Sequence, residues 1–343
     1  MKYTNIPNTD IKVSKICLGT MTFGEQNTEK EAHEQIEFAL DKGVNFIDTA
    51  EMYSVPGKAE TQGSTERYIG SWLKDNRDKV VVATKITGPN PYFSYLRDDL
   101  SFSKENILKA VEGNLKRLQT DYIDIYQLHW PDRNTNRFGK RNFTWDESDP
   151  WQDNISEVNE ILDGLVKEGK IRHYGVSNES PWGLMRHLNE SEKSQRTRCK
   201  TIQNSYSLLN RTFEYSLSEV SMREKVGLLA YSPLGFGVLS GKYLKGKPKD
   251  ARITLFPQYK RYIGEQAQNL TQMYYDLAQE NNISLAQMAL AFVNQQPFLT
   301  ANIIGATNLK QLEENIGSID IDLSPELLRK IDQLHELQPN PAP

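Results

Sequence analysis

Short apolar runs and amphipathic stretches alternate along the whole chain. Near the start, KYTNI and IKV flank the turn-rich PNTD, a spacing that predicts a short hairpin. KICLG is the first buried run and stops at Gly19. From Thr28 to Lys42, Ala32, Ile36, Ala39 and Leu40 recur three or four apart, which predicts a helix. The same pairing then repeats. VNFID (44–48) precedes a helix from Thr65 to Leu73, with Ser64 expected as its N-cap and Glu66 in its first turn. VVVAT (80–84) precedes a helix capped by Ser103 and running to about Leu118. YIDIYQLH (122–129) precedes helix 155–168, IRHYGVS (171–177) helix 181–193, and KTIQN (200–204) helix 214–224. After VGLLAYS (226–232) comes a long segment rich in Gly, Lys and aromatics, then helices near 264–281 and 284–296. NIIGA (302–306) and helix 308–317 close the series, followed by an extra helix capped by Ser324-Pro325.

Eight strand-like runs, each followed by a helical pattern, predict an α/β chain. The runs are apolar throughout rather than cleanly alternating, as in parallel strands covered on both faces. No linker or composition break divides them. The expectation is one domain over 1–343, a closed (β/α)8 TIM barrel with an N-terminal β-hairpin and long loops on its C-terminal face. An open doubly wound sheet would carry a Gly-rich phosphate turn after an early strand, and the chain contains no GxGxxG.

Composition narrows the function classes. The chain carries 41 Lys+Arg and 45 Asp+Glu, a formal charge of −4, with both signs interspersed, which argues against a nucleic-acid or anionic-membrane partner. Two Cys in 343 residues make no disulfide framework. No run approaches the roughly 20 apolar residues of a membrane span, and MKYTNIPNTD lacks a secretory h-region. A cytoplasmic location is the expectation. Cys17, in an apolar strand, is expected to be packing; Cys199, within RTRCK, is expected to be exposed.

In a barrel of this kind, chemistry gathers where strands end at the C-terminal rim. The second strand ends at Asp48 and its loop delivers Tyr53; the third ends at Lys85 and the fourth at His129. Singly, each has an ordinary structural role: a loop cap, a half-buried phenol, a solvated strand end, a core histidine. Together they place an acid, a phenol, an amine and an imidazole on one rim. An ammonium beside a phenol favours the phenolate and lowers its pKa from about 10. Such an array suits proton delivery to a carbonyl oxygen as a hydride reaches the carbon. It does not suit a metal. A Schiff base on Lys85 is the chemical rival.

FIDTAEMY (46–53), TK (84–85), LHWP (128–131), GVSN (175–178), IQN (202–204) and AYSPLGFG (230–237) resemble, in order and over essentially the whole chain, the aldo-keto reductase superfamily. The resemblance is nearest to the Tas-like reductases of bacteria, to which LGTMTFGEQN (18–27) and two long insertions also point. It is more distant to the potassium-channel β subunits. It implies that Tyr53 is the general acid, that Lys85 and Asp48 tune it, and that His129 orients the substrate carbonyl. It further implies NADP(H) as cofactor and a small-molecule carbonyl compound as substrate. By the same likeness, Ser177, Asn178 and Gln203 hold the carboxamide, Tyr231 stacks on the nicotinamide, and Ser232, Leu234, Gly237 and Lys242 cover the pyrophosphate. Gly305, Thr307, Gln311, Glu314 and Asn315 match the adenosine end. Many members carry Lys and Arg at the positions of Gly305 and Gln311, where they grip the 2′-phosphate. Here Lys242 and Arg252 fit an alternative pattern from the β-subunit branch, and could bias NADP over NAD by about 1–3 kcal/mol each.

Three connections, 54–63, 86–102 and 131–154, are too long for simple links. Their aromatics (Tyr92, Phe93, Tyr95, Phe138, Phe143, Trp145 and Trp151), with Trp130 beside His129, fit a wall for an apolar or ring-bearing substrate and fit loop packing equally. Two further functions stay open: a nicotinamide-nucleotide-binding regulatory protein with little turnover, and a Schiff-base lyase using Lys85.

Overall fold

The computed structural model describes residues 1–343. Strands β1 (Tyr3–Asn5) and β2 (Lys12–Ser14) form the antiparallel hairpin. Eight parallel strands then close into a barrel: β3 (Ile16–Gly19), β4 (Phe46–Asp48), β5 (Val81–Ile86), β6 (Ile123–Leu128), β7 (Ile171–Ser177), β8 (Thr201–Ser205), β9 (Gly227–Tyr231) and β10 (Leu299–Ile304). Each pairs with its sequence neighbour, and β10 returns to pair with β3. The helices are α1 (Glu29–Asp41), α2 (Ser64–Leu73), α3 (Lys104–Leu118), α4 (Ile155–Lys167), α5 (Pro181–Ser194), α6 (Leu217–Glu224), the single-turn α7 (Arg252–Leu255), α8 (Glu265–Glu280), α9 (Leu285–Asn294), α10 (Leu309–Gly317) and α11 (Pro325–Leu337). None is long and apolar enough to cross a membrane.

Local chemistry explains most helix starts. Thr28 and Glu31 form a reciprocal capping box, and the side chains of Ser103, Ser180, Ser284, Asn308 and Ser324 each accept a backbone N–H two to three residues into their helices. Ser64 differs from expectation. It is the first helical residue of α2, and the cap is Gly63 in the left-handed region at φ 71°. The Ser64 hydroxyl instead accepts from Arg67. Where tertiary pairing competes with pattern, pairing sets the bounds: β10 begins at Leu299, opposite Leu228, and ends at Ile304, opposite Leu18. Likewise α6 starts only at Leu217, after a separate 3-10 turn over Thr212–Tyr215.

The hairpin plugs the N-terminal mouth. Ile6, Ile11 and Val13 pack with the inward residues Cys17, Phe46, Ala83, Ile125, Leu229, Ala301 and Ile303, so this end is filled with apolar side chains. A larger shell lies between strands and helices. Cys17 is fully buried as expected, but Cys199 is buried too, its thiol against the Thr201 carbonyl. The backbone there is extended, so neighbours alternate: Arg198 turns out to pair with Glu224, Lys200 reaches the Asn8 carbonyl, and Cys199 turns in.

Candidate active site

With one end plugged, polar groups collect at the other. Lys85 and Gln127 lie opposite each other in the β5–β6 register, and both point inward. Lys85 has no solvent exposure. Its Nζ donates to Asp48 Oδ2 and to the Thr49 carbonyl, each at 2.6 Å. The other oxygen of Asp48 accepts from Gln203 Nε2 at 2.8 Å and Gln127 Nε2 at 3.3 Å. A buried ion pair is tolerable only when its remaining lone pairs and protons are satisfied, and these amides do that.

Tyr53 arrives on the loop after β4. The Lys85 ammonium lies 5.2 Å from its ring centroid. The His129 ring meets it edge-on at 5.8 Å, and Trp130 packs on His129 at 4.9 Å. The sequence-predicted catalytic residues therefore converge. Their electrostatics differ from the simple expectation. Burial holds the Tyr53 phenol far above its ordinary pKa, and the Asp48 carboxylate pushes the same way, opposed only by Arg252. Lys85, ion-paired with Asp48, is not among the charges that favour the phenolate here. His129 is held well below the usual imidazole range by burial and by the Lys85 charge, so it is neutral at pH 7, and its Nδ1 is buried without a partner. A phenol that keeps its proton beside a neutral imidazole can donate to a developing alkoxide.

A second polar set adjoins the first. Ser177 Oγ donates to the Gln203 carbonyl at 2.7 Å, and Asn178 Nδ2 to the His129 carbonyl at 2.8 Å. The Tyr231 hydroxyl, at the end of β9, donates to Asn178 Oδ1 at 2.5 Å, and burial pushes its pKa up to about 12. Gln203 thus belongs to both sets through Asp48. Beyond β9 the chain turns through Ser232 at φ 53° and then past Leu234 to Gly237 at φ 88°. A Cβ on Gly237 would lie 2.9 Å from Lys242 Nζ, so glycine lets the ammonium settle on the turn.

Burial lowers the pKa of both Lys242 and Arg252, and the Arg252 charge lowers that of Lys242 further. Arg252 contacts the Met21 sulfur at 3.6 Å and lies 5.5 Å from the Phe236 ring. Neither cation has a carboxylate partner, so a polyanionic dinucleotide fits the residues present. The β10 group forms its own cluster. Gln311 Oε1 accepts from the Thr307 backbone and hydroxyl, Asn315 Nδ2 donates to the Gly305 carbonyl, and Glu314 accepts from Ser284. No hydrogen bond joins this cluster to Lys242 or Arg252.

Gln127 and Thr49 escaped the sequence reading. Gln127 was findable: it is a polar residue two positions before His129 in an apolar run, and therefore on the same strand face. The loop aromatics divide. Phe93 and Trp130 pack with Ala50, Met52, Val55 and Leu100 beneath the site, whereas Phe143 and Trp145 stand exposed.

A family model described as the aldo/keto reductase family matches residues 15–336. The chain is similar to "Protein tas" of Escherichia coli (strain K12), with 48% identity and all of both chains covered. It is 36% identical to the "Uncharacterized oxidoreductase YrpG" of Bacillus subtilis (strain 168), covering 100% of this chain and 97% of the relative. It is 30% identical to a "Probable voltage-gated potassium channel subunit beta" of Arabidopsis thaliana, covering 99% and 98%.

Proposed function

The chain belongs to the aldo/keto reductase family, and from that premise we propose that it reduces an aldehyde or ketone to an alcohol with NADPH, Tyr53 serving as proton donor. The observation that carries this reading is the buried Lys85–Asp48 pair beneath a phenol and an imidazole that both remain neutral at pH 7. When bound, the nicotinamide supplies hydride to the carbonyl carbon. Every other contribution comes from the chain. Tyr53 Oη holds the proton that the carbonyl oxygen receives. Neutral His129 has one N–H with which to orient that oxygen. Lys85 and Asp48 fix the floor on which the Tyr53 ring rests, and Trp130 excludes water beside His129.

Ser177, Asn178 and Gln203 would hold the carboxamide and Tyr231 the ring, while Ser232, Leu234, Gly237, Lys242 and Arg252 would cover the phosphates. Gly305, Thr307, Gln311, Glu314 and Asn315 would flank the adenosine. The two unpaired cations support NADPH over NADH. Lys85 is a poor Schiff-base lysine, because its Nζ is charged and already engaged by Asp48 and Thr49.

Tyr53→Phe tests the assignment. Turnover should fall by about a hundredfold to ten-thousandfold, while NADPH still quenches tryptophan fluorescence. An unchanged kcat rejects Tyr53 as the acid, and absence of saturable NADPH binding by the wild type rejects the cofactor.

A further inference from the structure

The proposed chemistry uses one buried ion pair, Lys85–Asp48, and leaves a second, on the adjoining turn, without a role. Glu51 stands two residues before Tyr53 and is only 2% exposed. A carboxylate so far out of water is tolerated only when donors occupy both of its oxygens. Three donors reach it, and all belong to the 86–102 segment. Arg97 Nη1 donates to Oε2 at 2.8 Å, Arg97 Nη2 to Oε1 at 2.9 Å, and the Thr87 N–H to Oε1 at 2.6 Å. The guanidinium grips the carboxylate with two parallel bonds, which fix direction as well as distance.

The same residue ties the Tyr53 turn to the barrel. The Glu51 N–H donates to the Lys85 carbonyl at 3.2 Å, carrying the contact between the two strands past the end of β4. Gln62 Nε2 donates to the Glu51 carbonyl at 2.7 Å, the Tyr53 N–H to the Ala50 carbonyl at 3.1 Å, and the Gly63 N–H to the Tyr53 carbonyl at 2.7 Å. Glu51 is thus fastened to the barrel by its backbone and to the 86–102 segment at two points by its side chain. That segment also reaches the other side of the site. It supplies Phe93 and Leu100 to the apolar cluster that holds Met52 and Trp130, and Tyr53, Tyr95 and Leu96 pack against that cluster. Trp130 Nε1 donates to the Pro89 carbonyl at 3.1 Å, and the Trp130 ring packs on His129. One segment therefore touches the supports of both the phenol and the imidazole.

We propose that Glu51 and Arg97 are a positioning pair: they lock the Tyr53 turn to the 86–102 segment, so that the phenol keeps its place opposite His129 when a carbonyl compound is bound. Neither residue moves a proton, and both act through Tyr53. This rests on the carbonyl-reductase reading and deepens it.

Arg97→Met keeps the side chain's bulk and removes the grip, and Arg97→Lys keeps one cationic donor. With NADPH and benzaldehyde, kcat should fall more than about tenfold in the Met variant and by less in the Lys variant. NADPH affinity should stay within about twofold of wild type, because a displaced proton donor costs rate and not cofactor binding. Two comparisons separate this from simple destabilisation. In Glu51→Gln/Arg97→Met no unmatched charge remains and the new amide oxygen can still accept from Thr87, so urea stability should return toward wild type while kcat stays low. Its alkaline pH limb should not move, since the charges acting on the Tyr53 phenol are those of Asp48 and Arg252. Arg77→Met breaks an ion pair with Asp124 beside the starts of β5 and β6, where Arg77 also donates to the Val80 and Tyr122 carbonyls. It should lose stability and keep kcat. Amide hydrogen exchange of the free protein needs no turnover: Arg97→Met should speed exchange in peptides spanning 50–63 and 86–102 together and leave β7, β8 and β9 unchanged. Recovery of kcat along with stability in the double variant overturns the proposal, and so does faster exchange confined to 86–102. If the wild type reduces no carbonyl compound, the reductase reading fails, and joint exchange of the two segments still decides whether the lock exists.

Discussion

Replacing Asp48 by Asn removes the charge that matches Lys85 and turns one of two acceptor oxygens into an NH2, so that either the Lys85 ammonium or the amides of Gln127 and Gln203 lose their acceptor. Lys85 has no solvent exposure and Asp48 almost none, so water cannot substitute for the lost charge. Leaving one member of a buried pair unmatched costs roughly 3–5 kcal/mol. Lys85→Met should cost a similar amount by stranding the carboxylate. The double variant removes both charges, and what remains is an imperfectly bonded Asn amide worth about 1–3 kcal/mol. Urea unfolding of the four proteins closes the cycle. The double variant should be clearly more stable than the sum of the singles, and more stable than either one. Simple additivity would refute a coupled ion pair. Activity gives an independent sign. Asp48 raises the Tyr53 pKa, so Asp48→Asn should move the alkaline fall of reductase activity to lower pH, whereas Lys85→Met should not.

Lys242→Met and Arg252→Met should each weaken NADPH binding by about 1–3 kcal/mol and NADH binding by less; equal loss for both cofactors would place these cations away from the 2′-phosphate. His187 is buried, and that burial, with Arg133 and Arg186 nearby, pushes its pKa down to about 3. The unfolded chain takes up that proton near pH 6.5, whereas the folded chain does so only near 3, so stability should fall as pH drops through this interval, by roughly 1.4 kcal/mol per unit. Buried His129 acts in the same direction. Urea unfolding at neutral and at mildly acidic pH should reveal the slope, and His187→Leu should reduce it; an unchanged slope would mean that His187 does not carry the linkage.

The barrel was legible because its signals are local. Each strand is an apolar run long enough to be buried on both faces, each helix repeats its apolar residues at helical spacing, and caps such as Thr28, Ser103 and Ser324 mark the starts. The meeting of Asp48, Lys85 and His129 followed as well, because ends of adjacent parallel strands must lie side by side on one rim. Ser64 and Cys199 were misread where a neighbouring left-handed glycine and strand alternation outweighed residue type.

Charge compensation belonged to the tertiary structure alone. Whether an ammonium lowers a phenol's pKa depends on what else touches it, and at Lys85 a carboxylate 2.6 Å away leaves burial to decide the protonation of Tyr53. The same holds for Arg137 and Arg261, which look in sequence like any other arginines. Only folding pairs Arg133 with Glu179 and leaves Arg137 and Arg261 outside any ion pair. A residue's type fixes the charge it can carry, but the dielectric around it and the partners within a few ångströms are set by segments far apart in the chain.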